Sequence, residues 1–245
     1  MSHQLLAGKT VLVTAAAGTG IGFATARRAQ EEGARVVISD AHERRLRESA
    51  EQLGVPGIRC DVTAEDDVQR LVAETIDAVG PVDVLVNNAG LGGTAALVEM
   101  TDEQWSRVLD VTLTGTMRMT RAMLRHMYER GRGAIVNNSS VVGWRAQEGQ
   151  CHYAAAKAGV MALTRCAAIE AAPHGVRVNC VAPSLAMHAN LAKVTTDELL
   201  DELTQREAFA RAATPDEVAN VILFLASDLA SYMTGEVVAV SSQHP

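Results

Sequence analysis

The residues best suited to chemistry lie in one short run, Cys151-His152-Tyr153-Ala154-Ala155-Ala156-Lys157. If this run is helical, Tyr153 and Lys157 share one face, because residues four apart are neighbours on a helix. A lysine ammonium beside a phenol favours the phenolate and lowers the phenol pKa, which predicts a tyrosine able to exchange a proton near neutral pH. Tyr and Lys four apart are also common on helix surfaces, so this interpretation depends on the rest of the chain.

A glycine-rich turn near the start of the chain supports a chemical role for Tyr153 and Lys157. The apolar, β-prone run from Lys9 to Thr14 predicts a buried parallel strand, and a helical stretch extends from Phe23 to Glu32. Between them, Ala15-Ala16-Ala17-Gly18-Thr19-Gly20-Ile21-Gly22 would let a pyrophosphate approach the backbone, where the free N–H groups and dipole of a helix N-terminus favour an anion. A glycine-rich turn without a ligand is the alternative.

An acid after the second predicted strand indicates which dinucleotide would fit. The strand extends from Arg35 to Ser39, and Asp40 follows it, twenty residues after Gly20. A carboxylate there can accept hydrogen bonds from an adenosine ribose and would repel a 2′-phosphate, which favours NAD over NADP. Arg44 and Arg45 could weaken this preference, and the alternative is that Asp40 only begins a turn.

Amide and small side chains follow a further apolar strand. Asn87-Asn88-Ala89-Gly90 comes directly after the run from Val82 to Val86. Small residues at the carboxyl end of a parallel strand suit close contact with a ligand at the point where the strand order reverses. Because Asn is also a frequent turn residue, a plain turn is the alternative.

In combination these motifs resemble the short-chain dehydrogenase/reductase family. The glycine-rich turn, Asn-Asn-Ala-Gly, a serine thirteen residues before a tyrosine, and Tyr-x-x-x-Lys follow in that order between Lys9 and about Val240. The chain is most similar to the 3-oxoacyl-thioester reductase branch. Its run Thr14 to Gly20 and its ending Val240 to Pro245 resemble actinobacterial members implicated in acyl-CoA and sterol-ring breakdown. The resemblance implies hydride transfer between a nicotinamide cofactor and a secondary alcohol or ketone, with hydroxyacyl or 3-oxoacyl CoA thioesters, including sterol-derived ones, as expected substrates.

The resemblance also implies individual roles. Ser140 would hydrogen-bond a substrate carbonyl and stabilise a developing alkoxide. Tyr153 would exchange the proton, and Lys157 would lower the pKa of Tyr153 and bind the nicotinamide ribose. Thr112 stands where many members have an asparagine that holds a water of a proton relay, and its hydroxyl is a shorter substitute with fewer hydrogen-bonding groups. The expected cofactor-binding residues are Ala16, Gly18, Thr19, Gly20, Ile21, Asp40, Asp61, Val62, Asn88, Ala89, Gly90, Tyr153, Lys157 and Pro183.

The substrate side departs from the family pattern. His188 stands where a threonine often contacts the nicotinamide amide, so it could contact the cofactor, the substrate or only water. Arg145 could meet an anionic carrier such as a CoA phosphate, or a neighbouring subunit. Gln147 should also border the cleft, and Met187 fits an apolar or ring-bearing substrate as well as it fits simple packing. The expected substrate residues are therefore Arg145, Gln147, Met187 and His188.

Strands alternate with helices along the chain, which predicts an α/β fold. The expected architecture is a Rossmann-like, doubly wound parallel sheet of about seven strands with helices on both faces, in a single domain over residues 1–245. The segment 184–213 has no clear partner and is expected to be a partly helical substrate lid. Strands are predicted near 10–14, 35–39, 57–60, 82–86, 133–138, 176–181 and 236–240, and helices near 20–32, 42–53, 64–79, 101–130, 150–172 and 214–227.

Composition narrows the class of protein. The net charge of −7 argues against a general nucleic-acid or acidic-membrane surface. Four cysteines without zinc spacing and scattered histidines predict no metal site, and without a leader or an apolar span we expect a reduced cytoplasmic protein. Helices 101–130 and 150–172 imply, by the resemblance, a homotetramer. The alternatives are a dehydrogenase of a free steroid, sugar or other secondary alcohol, and a dinucleotide-binding scaffold or sensor with little catalysis.

Overall fold

A computed structural model describes residues 3–187 and 197–242 of the chain. Within these residues seven strands form one sheet in the order β3-β2-β1-β4-β5-β6-β7, and every neighbouring pair is parallel. The order reverses between β1 and β4, so a crevice opens at the carboxyl ends of these two strands. The strands are β1 Thr10–Val13, β2 Arg35–Asp40, β3 Gly57–Arg59, β4 Val84–Asn87, β5 Gly133–Asn138, β6 Val176–Pro183 and β7 Val237–Val240.

Helices cover both faces of this sheet. Several of them begin or end at residues that favour a helix terminus. Thr214 caps the helix Pro215–Ala226 in a capping box with Glu217, and Gly54 ends the helix Glu43–Leu53 in the left-handed conformation. The α-helices of the described chain are α1 Ile21–Glu31, α2 Glu43–Leu53, α3 Glu65–Val79, α4 Asp102–Leu109, α5 Gly115–Arg130, α6 Cys151–Ala171, α7 Asp197–Gln205 and α8 Pro215–Ala226.

The core lies in two layers because alternate strand residues point to opposite faces. Val11 and Val13 of β1 pack in one cluster with apolar residues of α1 and α8. Leu12 packs in the other cluster with residues of α3, α5 and α6. The doubly wound sheet predicted from the alternation of elements is therefore confirmed.

One predicted helix is divided. Instead of a single α-helix over 101–130, the chain forms α4, a π-helical turn over Asp110–Thr114, and α5. A π-helical turn adds a residue to one turn of a helix and often marks a functional position. Thr112 lies in the middle of it, so this irregularity falls on a residue with a predicted catalytic role.

A buried carboxylate joins the segment after β6 to the sheet. Glu207 is only 3% exposed and accepts hydrogen bonds from the Ser184 hydroxyl (3.1 Å) and the Ser242 hydroxyl (2.8 Å). Ala186 and Ala213 also form a parallel β-bridge. Both ends of the predicted lid are thus fixed beside the carboxyl ends of β6 and β7, and its residues 188–196 lie outside the described chain.

Candidate active site

The turn after β1 is tied to the end of β4. The Thr14 hydroxyl oxygen accepts hydrogen bonds from the backbone N–H groups of Asn88 (3.0 Å) and Ala89 (3.2 Å). Ala15 adopts a positive φ of 48°, a backbone conformation that residues other than glycine rarely take. Ala16 is buried, and its N–H donates to the carbonyl of Ser39. Its side chain and amide therefore face the protein, not the crevice where cofactor contact was predicted.

The N-terminus of α1 opens onto the crevice without a side-chain cap. Gly20 occupies the N-cap position and has no side chain to accept from the free N–H groups of the first turn, and no acid lies in that turn. The preceding turn is held by the N–H of Gly18, which donates to the Ser49 hydroxyl of α2 (3.0 Å). Such an uncapped helix start offers N–H groups and positive dipole to an anion, as a pyrophosphate requires, and Thr19, Gly20 and Ile21 lie there.

Gly22 allows the close approach on which this turn depends. A Cβ atom at Gly22 would lie 2.5 Å from the Ala15 carbonyl oxygen and 2.6 Å from the Asn88 side-chain nitrogen. Only glycine can therefore pass between the turn after β1 and the end of β4. Gly22 was visible in the glycine pattern, whereas nothing in the sequence pointed to Ser49.

A cleft of about 670 Å³ lies beside this turn at the carboxyl ends of the strands. Asp40 borders it at the end of β2, with both carboxylate oxygens accepting backbone N–H groups, from Ala17 (3.3 Å) and His42 (2.9 Å). The cleft brings together five residues predicted to bind the cofactor, Asp40, Asp61, Val62, Ala89 and Gly90. Its position and its acids fit the adenosine half of a dinucleotide.

A larger cleft of about 820 Å³ lies at the opposite edge of the sheet. It is lined by residues at the amino ends of the strands, among them Lys9, Gly133 and Val176. None of the sequence motifs reaches that edge. Because ligands of doubly wound folds bind outside the carboxyl ends of the strands, we assign the site to the smaller cleft.

The predicted proton-transfer residues come together at the end of β5. Ser140 lies two residues beyond the strand, and its side chain lies close enough to the Tyr153 phenol to influence the pKa of that group. The Ser140 hydroxyl also donates weakly to the carbonyl of Pro183 (3.4 Å). Lys157 lies one turn further along α6, with its Nζ atom 5.5 Å from the Tyr153 ring centroid and donating to the Asn138 carbonyl (2.7 Å).

The expected lowering of the Tyr153 pKa by Lys157 is not found in this structure. Burial raises the pKa of Tyr153 to about 12, although the neighbouring Ser140 side chain acts in the opposite direction. Burial also lowers the pKa of Lys157 to about 8, although Cys180 acts in the opposite direction. Desolvation disfavours the charged form of each group and is the largest cause of both shifts. At neutral pH Tyr153 is therefore a neutral phenol, the form that donates a proton.

The Thr112 hydroxyl binds the protein backbone. It accepts a hydrogen bond from the N–H of Leu91 (3.0 Å) and donates to the carbonyl of the same residue (3.2 Å), and the side chain is fully buried. A hydroxyl has one proton to donate and two lone pairs, so a relay water could still donate to the remaining lone pair of Thr112. Thr112 also fixes the loop that follows Asn-Asn-Ala-Gly.

We expect Thr112→Val to slow hydride transfer about tenfold, because two backbone groups of Leu91 lose their partner. Thr112→Asn should stay within about tenfold of the natural rate, since an amide offers both a donor and an acceptor to Leu91. Stopped-flow measurement of NADH oxidation checks both rates. A gain of several orders of magnitude in Thr112→Asn would show that threonine cripples the natural site.

The described residues predicted to contact the substrate lie in the loop before α6 and in the segment after β6. Arg145 and Gln147 follow the short 3₁₀ turn Val141–Gly143 and are half-buried. The N–H of Met187 donates to the Ala213 carbonyl (3.0 Å), and its side chain is partly exposed. His188 lies outside the described residues. Gln150, which sequence analysis did not single out, donates to the Gly93 carbonyl (2.8 Å) and so joins the loop before α6 to the loop after β4.

The described part of the chain shows neither a metal-binding cluster nor a membrane-spanning helix. Among residues 3–187 and 197–242, no group of three or more His, Cys, Asp or Glu side chains is arranged to hold a metal ion. In the same ranges, none of the helices combines the length and the apolar character needed to span a bilayer.

The sheet order, the uncapped turn and the Ser-Tyr-Lys group define a dinucleotide-dependent oxidoreductase. A family model described as enoyl-(acyl carrier protein) reductase matches residues 15–242. The chain belongs to the short-chain dehydrogenase/reductase family, as its motifs predicted.

Relatives of the chain include a reductase of a CoA ester and a reductase of 3-oxoacyl carrier-protein thioesters. The chain is 60% identical over 250 residues, covering 99% of it and 95% of the relative, to the (5R,7aS)-5-hydroxy-7a-methyl-1-oxo-2,3,5,6,7,7a-hexahydro-1H-indene-carboxyl-CoA reductase of Mycobacterium tuberculosis. It is 39% identical to the 3-oxoacyl-acyl-carrier-protein reductase FabG of Thermotoga maritima, covering 96% of the chain and 97% of that relative. A crystal structure of a Mycobacterium smegmatis short-chain dehydrogenase matches with a TM-score of 0.89 at 58% identity, covering 100% and 96% of the two chains.

Proposed function

We propose that the protein is an NAD-dependent reductase of ring-bearing or 3-oxoacyl CoA thioesters, including sterol-derived ones. The observation that carries the proposal is that Tyr153 and Lys157 of α6 meet Ser140 at the end of the sheet where the dinucleotide cleft opens. The names of the mycobacterial relative and of the FabG relative support the thioester class.

In this proposal the chain's own groups bind and polarise the ketone. The Ser140 and Tyr153 hydroxyls donate hydrogen bonds to the substrate oxygen, and the Tyr153 proton passes to that oxygen as the alcohol forms. The Lys157 ammonium binds ribose hydroxyls next to Tyr153. A bound nicotinamide supplies the hydride that reduces the carbonyl carbon.

A substrate panel tests the proposal. NADH oxidation is followed with a ring-bearing oxo-acyl CoA, a linear 3-oxoacyl CoA, a free steroid ketone and a keto sugar. We expect the two CoA thioesters to give the highest kcat/KM. Highest activity with the free steroid or sugar would contradict the thioester assignment, and NADH binding without oxidation by any ketone would favour a scaffold or sensor.

Asp40 supports the preference for NAD over NADP. We expect Asp40→Asn to reduce the ratio of kcat/KM for NADH to that for NADPH by about tenfold, because a carboxylate repels a nearby 2′-phosphate and an amide does not. The amide oxygen can still accept one of the two backbone N–H groups that Asp40 now holds. Steady-state rates with both coenzymes give the ratio, with Asp61→Asn as the matched control in the same cleft. An unchanged ratio in Asp40→Asn would remove Asp40 as the selecting group.

The proposal extends to the oligomeric state, the location and the domain organisation of the protein. The exposed side chain of Ile169 on α6 supports a homotetramer in which α6 meets a partner subunit. The four cysteines are free, which supports a reducing, cytoplasmic location. The single domain over residues 1–245 and a substrate lid over 184–213 complete the proposed organisation.

A further inference from the structure

Three hydrogen bonds in a row join the active-site lysine to the glycine-rich turn. Lys157 donates from Nζ to the backbone carbonyl of Asn138 (2.7 Å). The Asn138 side chain donates from Nδ2 to the Oδ1 atom of Asn88 (2.9 Å), and Asn88 donates from Nδ2 to the carbonyl of Ala15 (2.9 Å). The two ends of the proposed cofactor site are therefore connected through two asparagine side chains.

The strand register brings these asparagines to the same level of the sheet. Asn87 of β4 pairs with Asn137 of β5, so the next residues, Asn88 and Asn138, emerge side by side at the carboxyl edge. The Oδ1 atom of Asn138 is buried and has no hydrogen-bond partner among the described residues. The Asn138 amide thus makes one side-chain bond, which is the bond that reaches Asn88.

The direction of each hydrogen bond is fixed by its neighbours. The Ala15 carbonyl can only accept, so Asn88 must turn its NH₂ group toward Ala15 and its oxygen toward residue 138. Residue 138 must then supply a donor. Gly22 lies against this contact, and a Cβ atom added there would lie 2.6 Å from the Asn88 nitrogen.

We propose that Asn138 is a positioning residue for dinucleotide binding. Its carbonyl fixes the Lys157 amine, while its side chain, through Asn88, fixes the Ala15 carbonyl in a turn whose φ of 48° needs support. Asn138 thereby sets the spacing between the lysine at the nicotinamide end and the backbone at the pyrophosphate end. The inference rests on the proposed function, because it presumes that a nicotinamide dinucleotide occupies the crevice.

The test compares Asn138→Ala and Asn138→Asp with Asn137→Ala as the matched control. Asn137 is also a buried amide at the end of β5, and it accepts from Asn87 (2.9 Å) and donates to Thr164 (2.9 Å), with no bond to Lys157 or the turn. The Kd for NADH is measured by fluorescence between pH 6 and 10, and Tm is measured for each variant.

We expect both Asn138 variants to bind NADH about tenfold more weakly, because each leaves the half-buried Asn88 side chain without a donor for its oxygen. Asn137→Ala should lower Tm and leave the Kd within about twofold, since it disturbs only the sheet interior. Asn138→Asp should also move the pH at which binding weakens upward, because the added carboxylate favours the charged Lys157. Asn138→Ala adds no charge, so the pH at which NADH binding weakens should stay the same in that variant.

Equal effects of the position 137 and 138 alanine variants on the Kd would overturn the inference, because Asn138 would then be only part of the sheet. Natural affinity in Asn138→Asp would overturn it as well, since the donor would be dispensable. If the natural protein binds NADH and the Asn138 variants bind it equally well, this inference alone fails. If the natural protein binds neither NADH nor NADPH, the proposed function fails together with it.

Discussion

Replacement of Tyr153 by Phe is expected to lower kcat for ketone reduction by about 10²- to 10⁴-fold, the range that a positioned proton donor contributes. The phenol lies beside Ser140 at the end of the crevice, and burial holds its pKa at about 12, so it carries a proton at neutral pH. Because the ring remains, the Kd for NADH should change less than about threefold. Single-turnover rates and NADH fluorescence measure the two quantities separately.

Tyr128→Phe is the matched control for this substitution. Tyr128 lies near the end of α5, where its ring stacks on His174 with a centroid distance of 3.9 Å. Loss of a phenol there should leave kcat unchanged. Tyr153→Phe turnover above about a tenth of the natural rate would remove Tyr153 as the proton donor, because a tenfold effect is below that expected of general acid catalysis.

Replacement of Lys157 should change both the strength and the pH dependence of coenzyme use. Burial lowers the pKa of Lys157 to about 8, so the ammonium is present below this pH and is lost as the pH rises through it. The kcat/KM for NADH reports groups of the coenzyme-free enzyme, and we expect it to fall above about pH 8 in the natural protein. Lys157→Met should lower it by about 10²-fold and leave it independent of pH in this range.

Lys157→Arg separates charge from geometry. A guanidinium stays protonated throughout this range, so its kcat/KM for NADH should show no decline near pH 8. The absolute value should remain below that of the natural protein, because the bulkier group does not reproduce the short bond to Asn138. A decline near pH 8 that persists in both Lys157 variants would assign that titration to another group.

The doubly wound sheet could be predicted from the sequence because apolar runs and helical stretches alternate along the whole chain. Seven apolar runs alternate with helical stretches, and parallel strands covered on both faces must consist of such runs. The proposed site residues follow a related rule of position. Ser140, Asn88 and Gly20 each come just after or within a turn at the end of a strand, so the fold alone brings them to one edge.

Features that depend on tertiary contacts were not predictable in this way. The π-helical turn around Thr112 has no propensity signal, and only the structure shows that its hydroxyl bonds to Leu91. The place of Ala16 in the glycine-rich turn predicted contact with the cofactor. Its backbone N–H instead donates to the carbonyl of Ser39 in the neighbouring strand. The burial that raises the pKa of Tyr153 was not predictable either, because adjacency to Lys157 is visible in a sequence and burial is not.

The most direct test of the central claim follows a labelled hydride. A single turnover is run with NADH deuterated at the transferred position of nicotinamide C4 and an oxo-acyl CoA, with the natural protein and Tyr153→Phe in parallel. We predict one deuterium on the new carbinol carbon with the natural protein and almost none in the same time with Tyr153→Phe. Equal incorporation with both proteins, or a reduced product without deuterium, would contradict a mechanism in which Tyr153 completes direct transfer from the coenzyme.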